Sequence, residues 1–247
     1  MFLTTRALVL REVKYKEADK ILTLLTEQEG KLTVSARGVM RKGSKIAAGC
    51  QLLSFSDMTL FENRGRWTVN EAQTAEQFLG LRQDISLLAL GNYFAELLEV
   101  LSDQDCPDPE VLRLGLNALF ALSRGLYPPG QIKAVFELKL MCLTGYEPAV
   151  EYCCACGEPQ PQLPVFSLRE GVLYCGDCGK AAGGERVPLC PHSLESLRYI
   201  IAQDSRRAFS FSLEQEPMER LSRLCEGYVT AQLERSFPAL DYWKSVK

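Results

Sequence analysis

Four cysteines in two pairs, Cys153-x2-Cys156 and Cys175-x2-Cys178, are the residues of this chain whose type and spacing most directly specify chemistry. Each pair sets two thiols on one tight turn. Two such turns, here separated by 18 residues, can close a tetrahedron around a single zinc ion. Gly157 and Gly179 follow the second cysteine of each pair, where the backbone can turn sharply. Cys154 competes with Cys153 by type, but the x2 spacing selects Cys153. Four thiolates leave no open coordination position, so the expected ion is structural and activates no water. Iron in the same geometry and four unligated buried cysteines are the other readings. Cys50, Cys106, Cys142, Cys190 and Cys225 sit mostly in apolar patterns and read as small core residues.

The second chemical feature is a run of cations. No acidic residue occurs between Glu29 and Asp57, while Lys31, Arg37, Arg41, Lys42 and Lys45 all fall there. Flexible cations flanked by glycines suit phosphate contacts, because backbone amides can approach as well. A solvated turn that only keeps the protein soluble is the plainer reading. Tyr15 and Trp67 could stack on bases, although aromatic residues in strands are more often core. The net charge of −3 argues against a nucleic-acid partner until its distribution is considered: residues 1–80 hold 12 Lys/Arg against 9 Asp/Glu. The basic surplus therefore sits at the N-terminal end.

Catalytic constellations are missing. His192 is the one histidine, placed just before a helical pattern, where an exposed residue at a helix start is expected. A Ser-His-Asp or Cys-His apparatus is thereby disfavoured. There is no Walker A loop, no dinucleotide fingerprint and no zinc-deaminase pattern. The sequence reads as a binding protein and not as an enzyme. No apolar run approaches the roughly 18 residues of a membrane span. Phe2–Leu10 is short, interrupted by Arg6 and without a basic leader, so it reads as a strand rather than a signal peptide. A cytoplasmic protein with reduced thiols is the expectation.

The elements that must carry these residues divide by period. Ala7–Val13, Ile21–Thr26, Leu32–Ala36, Leu52–Phe61 and Trp67–Val69 are rich in β-branched, aromatic and aliphatic residues and are separated by turn signals. Five short strands in about 70 residues fit a barrel of the OB type, with a five-stranded SH3-like barrel as the alternative. Near Asp84 the period becomes helical, with Ile85, Leu88, Phe94, Leu97, Leu98 and Leu101 on one face. Helices follow at Glu110–Arg124, around Ile132–Leu143, at Leu194–Ile201 and through Met218–Val229. The expected fold is α+β: a five-stranded OB-type barrel (1–80), then a helical bundle (81–150 and 191–247) interrupted by a four-cysteine zinc ribbon (151–190).

In order along the chain, Ala7-Leu-Val-Leu-Arg11, Glu17-Ala-Asp-Lys-Ile21, Gly30-Lys-Leu32, Arg37-Gly-Val39, Leu143-Thr-Gly-Tyr-Glu-Pro148 and the two CxxC pairs resemble the bacterial RecO family of recombination mediators. Glu170, ahead of Gly171, departs from the family's frequent glycine pair. The resemblance implies an OB-fold, a helical domain and one structural zinc. It implies DNA repair and recombination through binding of single- and double-stranded DNA, annealing of complementary strands and help in loading the recombinase RecA. It also implies partnership with RecR and with the C-terminal tail of single-stranded-DNA-binding protein. A zinc-ribbon adaptor that binds only proteins is the competing reading of the residues themselves.

Overall fold

A computed structural model describes residues 1–181 and 183–247; Ala182, within the stretch 151–190, lies outside the described residues. The chain forms two compact units, one of Met1–Arg124 with Phe237–Lys247 and one of Gly125–Ser236.

In the first unit, strands β1 (Phe2–Tyr15), β2 (Asp19–Thr26), β3 (Gly30–Ala36), β4 (Phe55–Asn63) and β5 (Arg66–Glu76) close a barrel in the order β1-β2-β3-β5-β4. The alternation is clearest in β3, where Leu32, Val34 and Ala36 are buried and Thr33 is exposed. Ala7, Val9, Leu22, Leu24, Met58, Leu60 and Val69 meet them in one apolar core. Closure depends on β1 serving two ladders. Its residues 2–8 pair with β4 and its residues 7–15 with β2, and a register shift between Val9 and Arg11 marks the bend. A simple meander would set β4 beside β3. Here β3 runs parallel to β5 (Val34↔Trp67, Ser35↔Thr68) and β4 returns to β1. That crossover is OB-type and removes the SH3-like alternative.

Helix α1 (Ile85–Leu101) begins where Asp84 caps it: the Asp84 Oδ1 accepts from the N–H of Ser86 at 2.7 Å and of Leu87 at 3.3 Å. Asp108 does the same for α2 (Pro109–Arg124), accepting from Glu110 and Val111. The two helices pack closely because position 115 is glycine. A Cβ there would stand 2.8 Å from Leu98 Cδ1. The last helix, α7 (Pro238–Val246), belongs to this unit and packs on α1, with Phe237 edge-on to Tyr93 at 5.7 Å.

The second unit is built around α3 (Pro129–Leu143), which is buried from Gln131 through Met141 on every face. Its charged residues are therefore paired: Lys133 Nζ lies 2.9 Å from Glu137 Oε1 and 2.9 Å from Glu226 Oε2. Strands β6 (Val165–Ser167), β7 (Val172–Tyr174) and β8 (Arg186–Pro188) form a small sheet in the order β7-β6-β8, with α4 (Gly176–Ala181) between β7 and β8. Helices α5 (Pro191–Ala202) and α6 (Gln215–Leu233) pack on α3. The α+β reading, a barrel followed by helices with a cysteine module between them, is the architecture observed.

Candidate metal centre and nucleic-acid interface

Cys153 and Cys156 sit on the turn that precedes β6, Cys175 directly follows β7, and Cys178 lies in α4. All four sulfurs lie within 4.8 Å of one another, and Cys156 Sγ and Cys175 Sγ are 4.0 Å apart. Four sulfurs each about 2.3 Å from a zinc ion stand roughly 3.8 Å from each other, so the residues present fit that ion. The turns are set by the backbone. Gly157 N–H donates to the Cys153 carbonyl at φ +76, a left-handed position that suits glycine. Gly179 is glycine for a different reason: it is helical, and a Cβ would collide with Val165 Cγ2. Cys154 is exposed and outside the cluster, its N–H bound to the Leu173 carbonyl at 2.7 Å.

The cluster's electrostatics favour a cation. Burial opposes ionisation of Cys153, but N–H groups of Cys175, Cys156 and Ala155 outweigh it and bring the thiol down to about 6. The Cys175 N–H is 3.2 Å from that sulfur. At Cys178 the hydrogen bonds to the Cys175 and Cys156 sulfurs push the thiol up to about 12. One thiolate thus forms readily and the next is opposed by it, an opposition that a divalent ion at the centre would remove. Elsewhere the thiols behave as core. Burial pushes Cys50 and Cys142 up to about 12, and Cys225 is fully buried. Cys106 is exposed, so the core reading fails for it.

On the barrel, the segment between β3 and β4 is an ordered chain of turns rather than a flexible loop. Gly38 N–H donates to Asp19 Oδ1 at 2.7 Å and Met40 N–H to the Ala18 carbonyl at 2.9 Å. Val39 and Cys50 enter the barrel core from its two ends. Arg37, Arg41, Lys42 and Lys45 remain exposed on this anchored segment. Lys31 stands apart at the other end of β3, its Nζ donating to the Glu99 carbonyl in the last turn of α1 at 2.5 Å. A cation there also complements the helix dipole. Trp67 is half-buried against the barrel core, whereas Tyr15 is exposed under the Lys16 ammonium, 5.2 Å from its ring centre.

Two residues that the sequence did not single out as candidates join this surface. Arg64 and Arg66 lie on the β4–β5 hairpin, and with Arg37, Phe61, Asn63 and Thr68 they line a cleft of about 440 Å³. None of these three arginines forms an ion pair among the described residues. The signal was present in Asn63-Arg64-Gly65-Arg66. What hid it was the parallel β3–β5 pairing, which brings Arg37 beside residues almost thirty positions later. In OB barrels the β1–β2 and β4–β5 loops are the usual oligonucleotide-binding edges; here the β4–β5 turn carries Arg64, whereas the β1–β2 loop, Lys16-Glu17-Ala18, is balanced in charge. Among the described residues, no helix is long and apolar enough to cross a membrane.

Comparison with known proteins agrees with this architecture. Residues 1–78 match the family described as recombination protein O N terminal, and residues 82–241 match recombination protein O C terminal. A DNA repair protein RecO of Acetivibrio thermocellus is 30% identical over 248 residues, covering 99% of this chain and 97% of the relative. Its namesake in Alkaliphilus metalliredigens is 29% identical over 247 residues, covering 100% of each. One from Heliobacterium modesticaldum is 34% identical over 206 residues, covering 81% of this chain and 74% of that one. With the two family models matched in order along residues 1–78 and 82–241, the chain belongs to the RecO family of DNA repair proteins.

Proposed function

We propose that this chain is a recombination mediator that binds single- and double-stranded DNA through residues 1–80, anneals complementary strands, and helps load a recombinase onto protein-coated single strands. The observation that carries this reading is the rim of exposed cations on the barrel: Arg37, Arg41, Lys42 and Lys45 on an anchored segment, with Arg64 and Arg66 beside Arg37. Anchoring matters because cations held in place lose less entropy on meeting phosphate. Annealing needs cations between two anionic strands, which such a rim supplies. Lys31, whose ammonium donates to the Glu99 carbonyl at the end of α1, is the member of the proposed phosphate-contacting set that stands apart from this rim.

Cys153, Cys156, Cys175 and Cys178 would hold one zinc ion, whose role is to tie β6, β7 and α4 into one module and not to perform chemistry. Family membership supports RecR and the C-terminal tail of single-stranded-DNA-binding protein as partners, with the helical residues 81–150 and 191–247 carrying those contacts. Co-precipitation of single-stranded-DNA-binding protein should be abolished by deleting its tail; capture that survives the deletion would remove this partner assignment.

The test of DNA binding is a titration at several salt concentrations. Each lost phosphate contact flattens the log–log slope by about 0.9 on duplex and about 0.7 on single strands. Arg37→Ala with Arg41→Ala should therefore flatten the duplex slope by about 1.8, lower affinity roughly 30-fold near 0.15 M salt, and slow annealing. Zinc content and thermal stability should not change. If the double variant binds and anneals like the parent, the segment is a solvated turn and the protein-only adaptor reading takes its place.

A further inference from the structure

The barrel surface next to the arginine cleft carries two apolar rings that the fold does not use. Phe2 and Phe61 face each other across the β1–β4 ladder, with ring centres 5.0 Å apart and planes inclined at 46°. Phe2 is 65% exposed and Phe61 38% exposed. Their strand neighbours Leu3 and Leu60 turn inward toward the core, so the rings are on the outer face by register and not by frayed packing. Phe61 also forms part of the wall of the cleft lined by Arg37, Arg64 and Arg66. One exposed ring, Phe61, thus borders three guanidinium groups that have no ionic partner among the described residues, and the second, Phe2, packs beside it.

The hairpin that supplies two of those arginines is held at a cost. Asn63 pairs with Arg66, leaving Arg64 and Gly65 as a two-residue turn with φ of 53 and 73. Positive φ at both positions is the geometry for which Asn-Gly is the usual solution. An arginine there gives up that ease, and Glu62 helps hold the turn by accepting the Gly65 N–H at 2.6 Å. The fold keeps a cation at the hairpin tip where a smaller residue would fit with less strain.

We propose that Phe2 and Phe61 are a stacking platform for unpaired bases, with Arg37, Arg64 and Arg66 holding the adjoining phosphates, so that this cleft selects single strands over duplex. The chemistry sets the preference. Phosphates are present on both forms, but an aromatic side chain can stack on a base face only where that base has left the duplex. Every base offers such a face, so the platform reads strandedness and not sequence. The inference rests on the proposal that the barrel binds DNA, and it adds the class of ligand that this part of the barrel prefers.

The experiment uses the full chain and three probes: oligothymidylate, an abasic oligonucleotide of equal length, and a duplex of equal length. Phe2→Ala with Phe61→Ala should weaken oligothymidylate binding on the order of tenfold or more. Binding of the abasic strand and of the duplex should stay within about twofold, because the salt-dependent phosphate contacts persist. Phe61→Leu keeps apolar bulk without an aromatic face, and should reproduce a large part of the loss. The parent protein should itself bind the abasic strand more weakly than oligothymidylate, a comparison that needs no variant. Equal loss on all three probes, or none on any, overturns the platform while leaving DNA binding by the barrel intact. Failure of the parent to bind any probe overturns the DNA-binding proposal itself.

Discussion

Cys156→Ser with Cys178→Ser should abolish the single zinc ion expected in the purified protein and loosen residues 151–190. Structural four-cysteine sites of this kind bind with about 10 kcal/mol or more, and most of that energy serves as folding energy of the surrounding module. The strands it would support are three residues each, too short for independent stability. Their ladder leads straight into the ligand positions, since Val165 pairs with Tyr174 next to Cys175. Hydrogen exchange in β6 and β7 should therefore rise by orders of magnitude in the variant. The barrel should keep its protection, because β1 to β5 close on one another in a different compact unit. Elemental analysis and thiol alkylation read the result. For the unsubstituted chain, colourless protein with one zinc and four protected thiols is the expected outcome, and the variant should hold none; a coloured protein would indicate iron, and rapid alkylation of Cys153 and Cys178 in metal-free unsubstituted protein would sink the metal centre.

Legibility from sequence followed how locally each feature is encoded. The cysteine cluster needed only spacing, since each CxxC pair is its own turn and Cys154 drops out by register. Strand β3 was visible because buried and more exposed positions alternate along it. Strand β5 was visible only at Trp67–Val69. Its continuation through Glu76 is largely polar and half-exposed, held by the ladder with β4 rather than by burial of its own side chains. Helix α7 and its N-cap carried a signal in Phe237, Leu240 and Trp243, all buried, but two apolar residues behind a proline and one before it make a weak period. The arginines of the cleft stand in two separate runs of the sequence, but their assembly into one site was not legible. It depends on which strands become neighbours, and local pattern cannot say that β3 will pair with β5. Pattern also marked α3 by apolar positions around Ile132–Leu143 alone, where the folded chain buries its charged residues too, and this has an energetic consequence.

Lys133→Ala should destabilise the second unit by about 3–5 kcal/mol, the range for removing one partner of a buried ion pair. Lys133 and Glu137 are fully buried and Glu226 is about three-quarters buried, 25% of its side chain being exposed. Removing the ammonium takes away the cation that lies 2.9 Å from the buried Glu137 carboxylate. Burial alone would lower the Lys133 pKa, but the Glu137 and Glu226 carboxylates outweigh it, and the net direction is upward from 10.5. A raised lysine pKa stabilises the fold fully below its unfolded value and loses that contribution only as pH rises through the folded value. The penalty of Lys133→Ala should therefore be flat between about pH 7 and pH 9 and shrink only above about 10.5. Replacing the pair together, Lys133→Met with Glu137→Leu, removes two buried charges at once and should cost far less than the single change. Glu226, with its partial exposure, can then be solvated. Denaturant unfolding followed through exchange of α3 and α6 amides separates these outcomes. If Lys133→Ala costs no more than the double variant, α3 and α6 are held together by apolar packing alone and the buried charges have no part in joining them.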